Sequence, residues 1–250
     1  MKASSNARRR GRRNAVAIAL AALLAIAGFA AAGSPALAHS LKELEEELSS
    51  RDKYFQPVDQ PAPDFALVDA VGKAVTLADF RDKVIVLNFI YATCGDVCPL
   101  HSQLIAQLQL LINVSPMNDQ VAFISITTDP AHDQGTVLTE YGEAQGLDPA
   151  NWMFLTSPPD QPEDTTRKVA KTYGLEFTEV DGVQMHGLVT HVIDREGKLR
   201  GRFHGLRFEP VSLVTFVNAL VNDVHKPGEA AQAKPADPWL WVSGLFGGGQ

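Results

Sequence analysis

From residue 64 onward, short apolar runs alternate with longer stretches of mixed polarity. Val84–Ile90 (VIVLNFI) and Val121–Thr127 (VAFISIT) are almost unbroken apolar runs, as expected of strands buried on both faces. Phe65–Val68 and Ala74–Leu77 flank Gly72 as a hairpin would, and Leu188–Ile193 and Leu199–Phe203 do the same about Arg195-Glu196-Gly197. A short strand is expected at Met153–Leu155. Helices are expected at about Leu100–Ile112, Gly135–Gln145, Glu163–Tyr173 and Val211–Val224.

Strand–helix alternation that closes with a hairpin and a helix is the thioredoxin-like order: an α/β domain with a central mixed sheet flanked by helices. We assign it residues 60–225. Residues 39–59 precede it as a spacer and linker, with a charged helix at Leu41–Ser50 and Pro57, Pro61 and Pro63 ending any helix. Residues 226–250, with Pro227, Pro235 and Pro238 among Ala and Gly, read as a flexible tail ending in WLWVSGLF.

Residues 1–38 read as an export signal. Arginines crowd positions 8–13, Ala15–Ala32 is apolar, and Ala36-Leu37-Ala38 offers a small-x-small cleavage pattern that makes His39 the mature start. An uncleaved anchor is the alternative, since roughly 18 apolar residues lie at the lower edge of what spans a bilayer. Either way the chain is expected outside the cytoplasm, in the periplasm or its equivalent, with membrane association through its N-terminus if the signal is retained. Charge agrees with a soluble body. Of the 250 residues, 45% are hydrophobic and 20% charged; six of the 22 basic residues and none of the 29 acidic ones fall in 1–38, which leaves 16 against 29 and a net of −13 for the rest. So acidic a body argues against nucleic acid as a partner.

Cys94 and Cys98 are the whole thiol inventory, four residues apart in YATCGDVCPLH, between a buried strand and a helix start. A helix N-terminus favours anionic sulfur. A disulfide here would close too small a loop to constrain the unfolded chain much. The pair therefore reads as functional, either a redox dithiol or part of a metal site. Two thiolates are too few for a closed zinc site; cuprous copper accepts fewer ligands and prefers thiolate and imidazole. Among seven histidines, His101 is expected on the first helical turn pointing away, His132 exposed, His191 within a strand, and His204 and His225 at the surface. His186, in a loop after Asp181-Gly182 before a strand, is the one a thioredoxin-like domain turns toward the cysteine loop.

With Cys94-Gly-Asp-Val-Cys98-Pro99, Ile124-Ser-Ile-Thr-Thr-Asp129-Pro130 followed by Asp133, and a histidine eight residues before the turn at Asp194, about residues 60–223 resemble the SCO/SenC family of exported copper chaperones. The resemblance implies that Cys94, Cys98 and His186 are ligands for one copper ion per chain, as Cu(I) or Cu(II). It also implies delivery to the copper-site subunit of cytochrome c oxidase or another copper enzyme, with an upstream copper donor and a thiol reductant as further partners. Because the ligands must lose protons, affinity is expected to fall in acid. The alternatives are a thiol–disulfide oxidoreductase using Cys94 and Cys98 on a partner's copper-site cysteines, and a copper or redox sensor. A peroxidatic Cys94 is a further reading, against which an incomplete proline and threonine spacing stands.

Overall fold

The computed structural model describes residues 40–94, 97–180 and 183–222, without the side chains of 179, 180 and 183–185. In chain order they form α1 (Leu41–Arg51), β1 (Phe55–Pro61), β2 (Ala66–Asp69), β3 (Ala74–Thr76), β4 (Val84–Ile90), α2 (Val97–Asn113), β5 (Val121–Thr127), α3 (Thr136–Gln145), β6 (Trp152–Thr156) and α4 (Thr165–Thr172). Then come β7 (Phe177–Val180), β8 (Val183–His186), β9 (Val189–Ile193), β10 (Lys198–His204) and α5 (Pro210–Val221). Eight strands make one sheet in the order β1-β10-β9-β4-β5-β6-β2-β3, while β7 and β8 form a separate two-stranded ribbon. The central β4, β5 and β6 are parallel; β9 and β10 continue the sheet antiparallel.

Every residue of β4 and β5 is buried, as their apolar runs predict. Period-two alternation sends Val84 and Val86 to a core shared with α1, α2 and α5, and Ile85, Leu87 and Phe89 to a second core shared with α4. The expected thioredoxin-like arrangement, a mixed sheet between helices, is the one observed. The two expected hairpins form, with Gly72 and Gly197 turning at φ +85° and +82°.

Two expectations change. Residues 39–59 are not a stand-off spacer: α1 buries Leu41 and Leu48 in the helical core, and β1 pairs with β10. Prolines 57 and 61 are tolerated because β1 is the sheet's edge strand. The region before Leu188, expected as a loop, is the β7–β8 ribbon, with Phe177 opposite His186. The signal (1–38) and the tail (226–250) lie outside the described residues, as do His39, Gly95, Asp96 and His225. Among the described residues no helix is long and apolar enough to cross a membrane.

Candidate metal centre

The topology brings the candidate residues to one edge. Cys94 follows β4 by four residues. β9 runs antiparallel to β4, with Thr190 beside Asn88, so the start of β9 lies at the end of β4. Residue 186, three before β9, therefore precedes that strand at the end of the sheet from which the cysteine loop leaves β4. The carboxyl ends of parallel strands are where open α/β sheets place their sites.

Neither cysteine is in a disulfide; Cys94 is half-buried and Cys98 buried. They share a side-chain hydrogen bond, and burial first, then that bond, pushes the Cys98 thiol up to about 12. A backbone hydrogen bond from Tyr91 opposes the rise without reversing it. Without a cation Cys98 is therefore a protonated thiol at neutral pH. α2 begins at Val97, so Pro99 sits two residues further in than a first-position proline, still where its missing N–H costs no helical bond.

Asp133 ties the loop down. Its Oδ2 accepts hydrogen bonds from the Ala92 N–H at 2.8 Å and the Thr127 hydroxyl at 2.6 Å. The carboxyl is fully buried with Oδ1 unpartnered, and burial raises its pKa. Its negative charge also disfavours a bare thiolate at Cys98.

His186 ends β8 rather than lying in a loop. Its Nδ1 stands 2.9 Å from the Gly187 carbonyl oxygen, to which only an N–H can donate. That contact assigns the proton to Nδ1 and leaves a lone pair on Nε2, the tautomer a metal ligand needs. Nε2 is buried with no partner, and burial keeps the ring neutral by lowering its pKa. The Phe177 ring packs on it, centroids 5.5 Å apart. The donor chemistry thus fits a soft cation, although among the described residues no three His, Cys, Asp or Glu side chains stand together as a ready-made metal cage.

His101 is buried in the domain. Expected near the thiols but pointing away from them, it is 1% exposed, and its Nε2 lies 2.9 Å from Thr190 Oγ1 of β9. Burial, reinforced by the nearby His186, lowers its pKa to about 4. The helical stripe Cys98, His101, Ile105, Leu108, Ile112 is buried throughout, and that spacing was the available sign that His101 faces inward. The other described histidines, 132, 191 and 204, behave as expected. His132 is exposed and paired with Asp129, His191 is fully buried against the Tyr173 carbonyl, and His204 meets Gln56 near the surface.

The domain is thioredoxin-like and carries its two cysteines where the central strand β4 hands over to α2. The SCO1/SenC family model matches residues 55–221. The chain belongs to the SCO1/SenC family.

Two curated relatives and one solved structure frame that assignment. Peroxiredoxin-2 of Bos taurus is 32% identical over 146 residues, 57% of this chain and 66% of that protein. The mitochondrial SCO2 homolog of Bos taurus is 26% identical over 136 residues, 54% of this chain and 50% of that protein. The chain thus spans about two thirds of the first relative's length and half of the second's. ScoI of Bradyrhizobium japonicum, solved with copper bound, is 25% identical with a TM-score of 0.54, covering 64% of this chain and 99% of that one.

Proposed function

We propose that the protein is an exported metallochaperone that carries one copper ion on Cys94, Cys98 and His186 and passes it to a respiratory enzyme, the dinuclear copper site of cytochrome c oxidase being the recipient. Sco family proteins are cytochrome c oxidase assembly factors, and members have been solved with copper bound. The observation that carries the reading for this chain is the buried, unpartnered Nε2 of His186, its tautomer fixed by Gly187, at the same end of the sheet as two cysteines that form no disulfide. Two thiolates and one neutral imidazole suit cuprous copper, which accepts low coordination. Such a site can give up its ion to a receiving site with more or better ligands. Export through residues 1–38 to the periplasm belongs to the same proposal.

The test is copper analysis after anaerobic loading of the reduced protein. One equivalent per chain is expected, with affinity reduced at least tenfold in Cys94→Ala and in His186→Ala. Full affinity in His186→Ala would remove the imidazole from the site.

The hydrogen bond between the two thiols also favours a second role, reduction of disulfides in the recipient's copper site. Cys94, the more exposed sulfur, would then attack, and Cys98 would close the disulfide as the partner leaves as thiols. A reduced chain that lowers a disulfide of the apo recipient domain without metal supports this role; one that leaves it intact rules it out.

A further inference from the structure

The outer face of α2 departs from that of an ordinary surface helix. Its 17 residues, VCPLHSQLIAQLQLLIN, include no Asp, Glu, Lys or Arg, in a chain of which 20% is charged. Leu100 and Leu111 on that face are 52% and 48% exposed, and Val114 is 77% exposed. Val114 continues the helical turn, its N–H bonded to the Leu110 carbonyl at 3.1 Å, and Leu110 is itself 65% exposed. Among the described residues, four of the seven large apolar side chains left exposed lie on α2 or at its end. Leu100, half-buried Leu104, Leu111 and Val114 follow helical spacing, so they line one face with Gln107 between them. A contiguous apolar patch of this kind marks a docking surface.

The sequence supplies an occupant. Residues 239–246 (WLWVSGLF) are a second uncharged apolar run that the copper chemistry leaves unused. About 16 residues separate them from the end of α5, which packs against α2. The point where the chain leaves α5 is fixed. Arg195 Nη1 donates to the Val221 carbonyl at 3.0 Å, and its Nε donates to the carbonyl of Asp82, just before β4, also at 3.0 Å. β5 begins at that same end of the sheet, Val121 beside Val84, and α2 leads down to it. Leu110, Leu111 and Val114 therefore lie at the end of the sheet from which the tail departs. A flexible linker of about 16 residues spans roughly 20–24 Å. The stripe from Leu100 to Val114 rises about 21 Å, and about eight extended residues cover roughly 26 Å.

We infer that residues 239–246 dock on their own domain, along the outer face of α2 over Leu100, Leu104, Leu111 and Val114. Burial of Trp239, Leu240 and Trp241 against these side chains drives the contact, and neither surface has a charge to desolvate. The tether holds the segment at an effective concentration on the order of millimolar, so a weak contact is enough. The docked segment covers a face that would otherwise bring chains together. The inference is independent of the copper reading.

The experiment uses the full chain labelled with fluorotryptophan and read by fluorine-19 NMR. Its three tryptophans are Trp152, in the core, and Trp239 and Trp241; the last two are assigned with Trp239→Phe and Trp241→Phe. In dilute protein without lipid, both tail resonances are expected away from their positions in the free peptide of residues 239–246. In the double variant Leu111→Glu with Val114→Glu they are expected to return to those positions, while an unmoved Trp152 resonance shows the fold intact. Should Trp152 move, Leu111→Gln with Val114→Gln decides by the same reading. Tail resonances that sit at the free-peptide positions in the parent chain, or that ignore the α2 substitutions, overturn the inference. So does a displacement lost on dilution, which assigns the face to a second copy, or one that appears only with phospholipid vesicles, which assigns it to a membrane.

Discussion

Asp133 accepts two hydrogen bonds on one oxygen and keeps the other empty, and it does so with no exposure to water. Replacing it by alanine leaves the Ala92 N–H and the Thr127 hydroxyl without their acceptor, two residues from Cys94. Each such buried loss costs about 1–3 kcal/mol. Asp133→Ala is expected to lower stability in urea by about 2–4 kcal/mol and to weaken copper binding, while Asp133→Asn, which can still accept both bonds, keeps most of each; equal losses in the two variants would contradict this. At this scale the sequence was informative about chemistry and poor about direction. The spacing of Cys94 and Cys98 pointed to a functional pair, but it carries no sign that burial holds Cys98 as a thiol. The burial of His101 follows from its place on the stripe with Cys98, Ile105, Leu108 and Ile112, a signal the distance from the thiols does not carry. His186 could be tied to the cysteines only through the fold, since the strand pairing that brings it back is non-local.

Among the elements, β10 carries a tight packing constraint. A Cβ at Gly201 would stand 2.7 Å from the Phe216 ring of α5 and 2.9 Å from the Phe55 ring of β1. Both rings are buried and packed on each other, centroids 5.0 Å apart, so neither yields easily. Gly201→Ala is expected to cost about 1–3 kcal/mol of stability by overpacking, read as a lower urea midpoint with unchanged slope; a midpoint equal to the parent's would contradict it. The core strands, both hairpins and four helices follow from periodicity because their burial is simple. Departures cluster where burial is partial. In β1 only Phe55 is fully buried and two prolines interrupt it, so its pairing with β10 leaves little trace in the sequence. The helix α1 reads as all charge because its two buried leucines, 41 and 48, are a full two turns apart.

Across the whole molecule, buried histidines couple stability to pH. The folded protein holds His101 near about 4 and His191 near about 3, both chiefly through burial. In the unfolded chain an imidazole titrates near about 6.5. Below that pH the unfolded state binds protons the folded state refuses. The stability present above pH 6.5 is therefore lost as pH falls toward 4, at about 1.4 kcal/mol per pH unit for each ring. The raised pKa values of Asp133 and Glu45 act the other way, stabilising in acid and lost as pH rises, while burial also lowers His186 and His204, which act with the two rings. The urea midpoint is expected to fall between pH 7 and pH 5, and to fall less in His191→Phe; a midpoint that rises in acid would contradict the account. The most direct measurement of the central claim, that an imidazole brought back by the fold joins the dithiol, is nitrogen-15 NMR of the histidine rings in the reduced protein with one equivalent of copper(I). The account predicts that the Nε2 resonance of His186 moves as its lone pair binds the ion while Nδ1 keeps its proton; a His186 ring unchanged on full loading would contradict it.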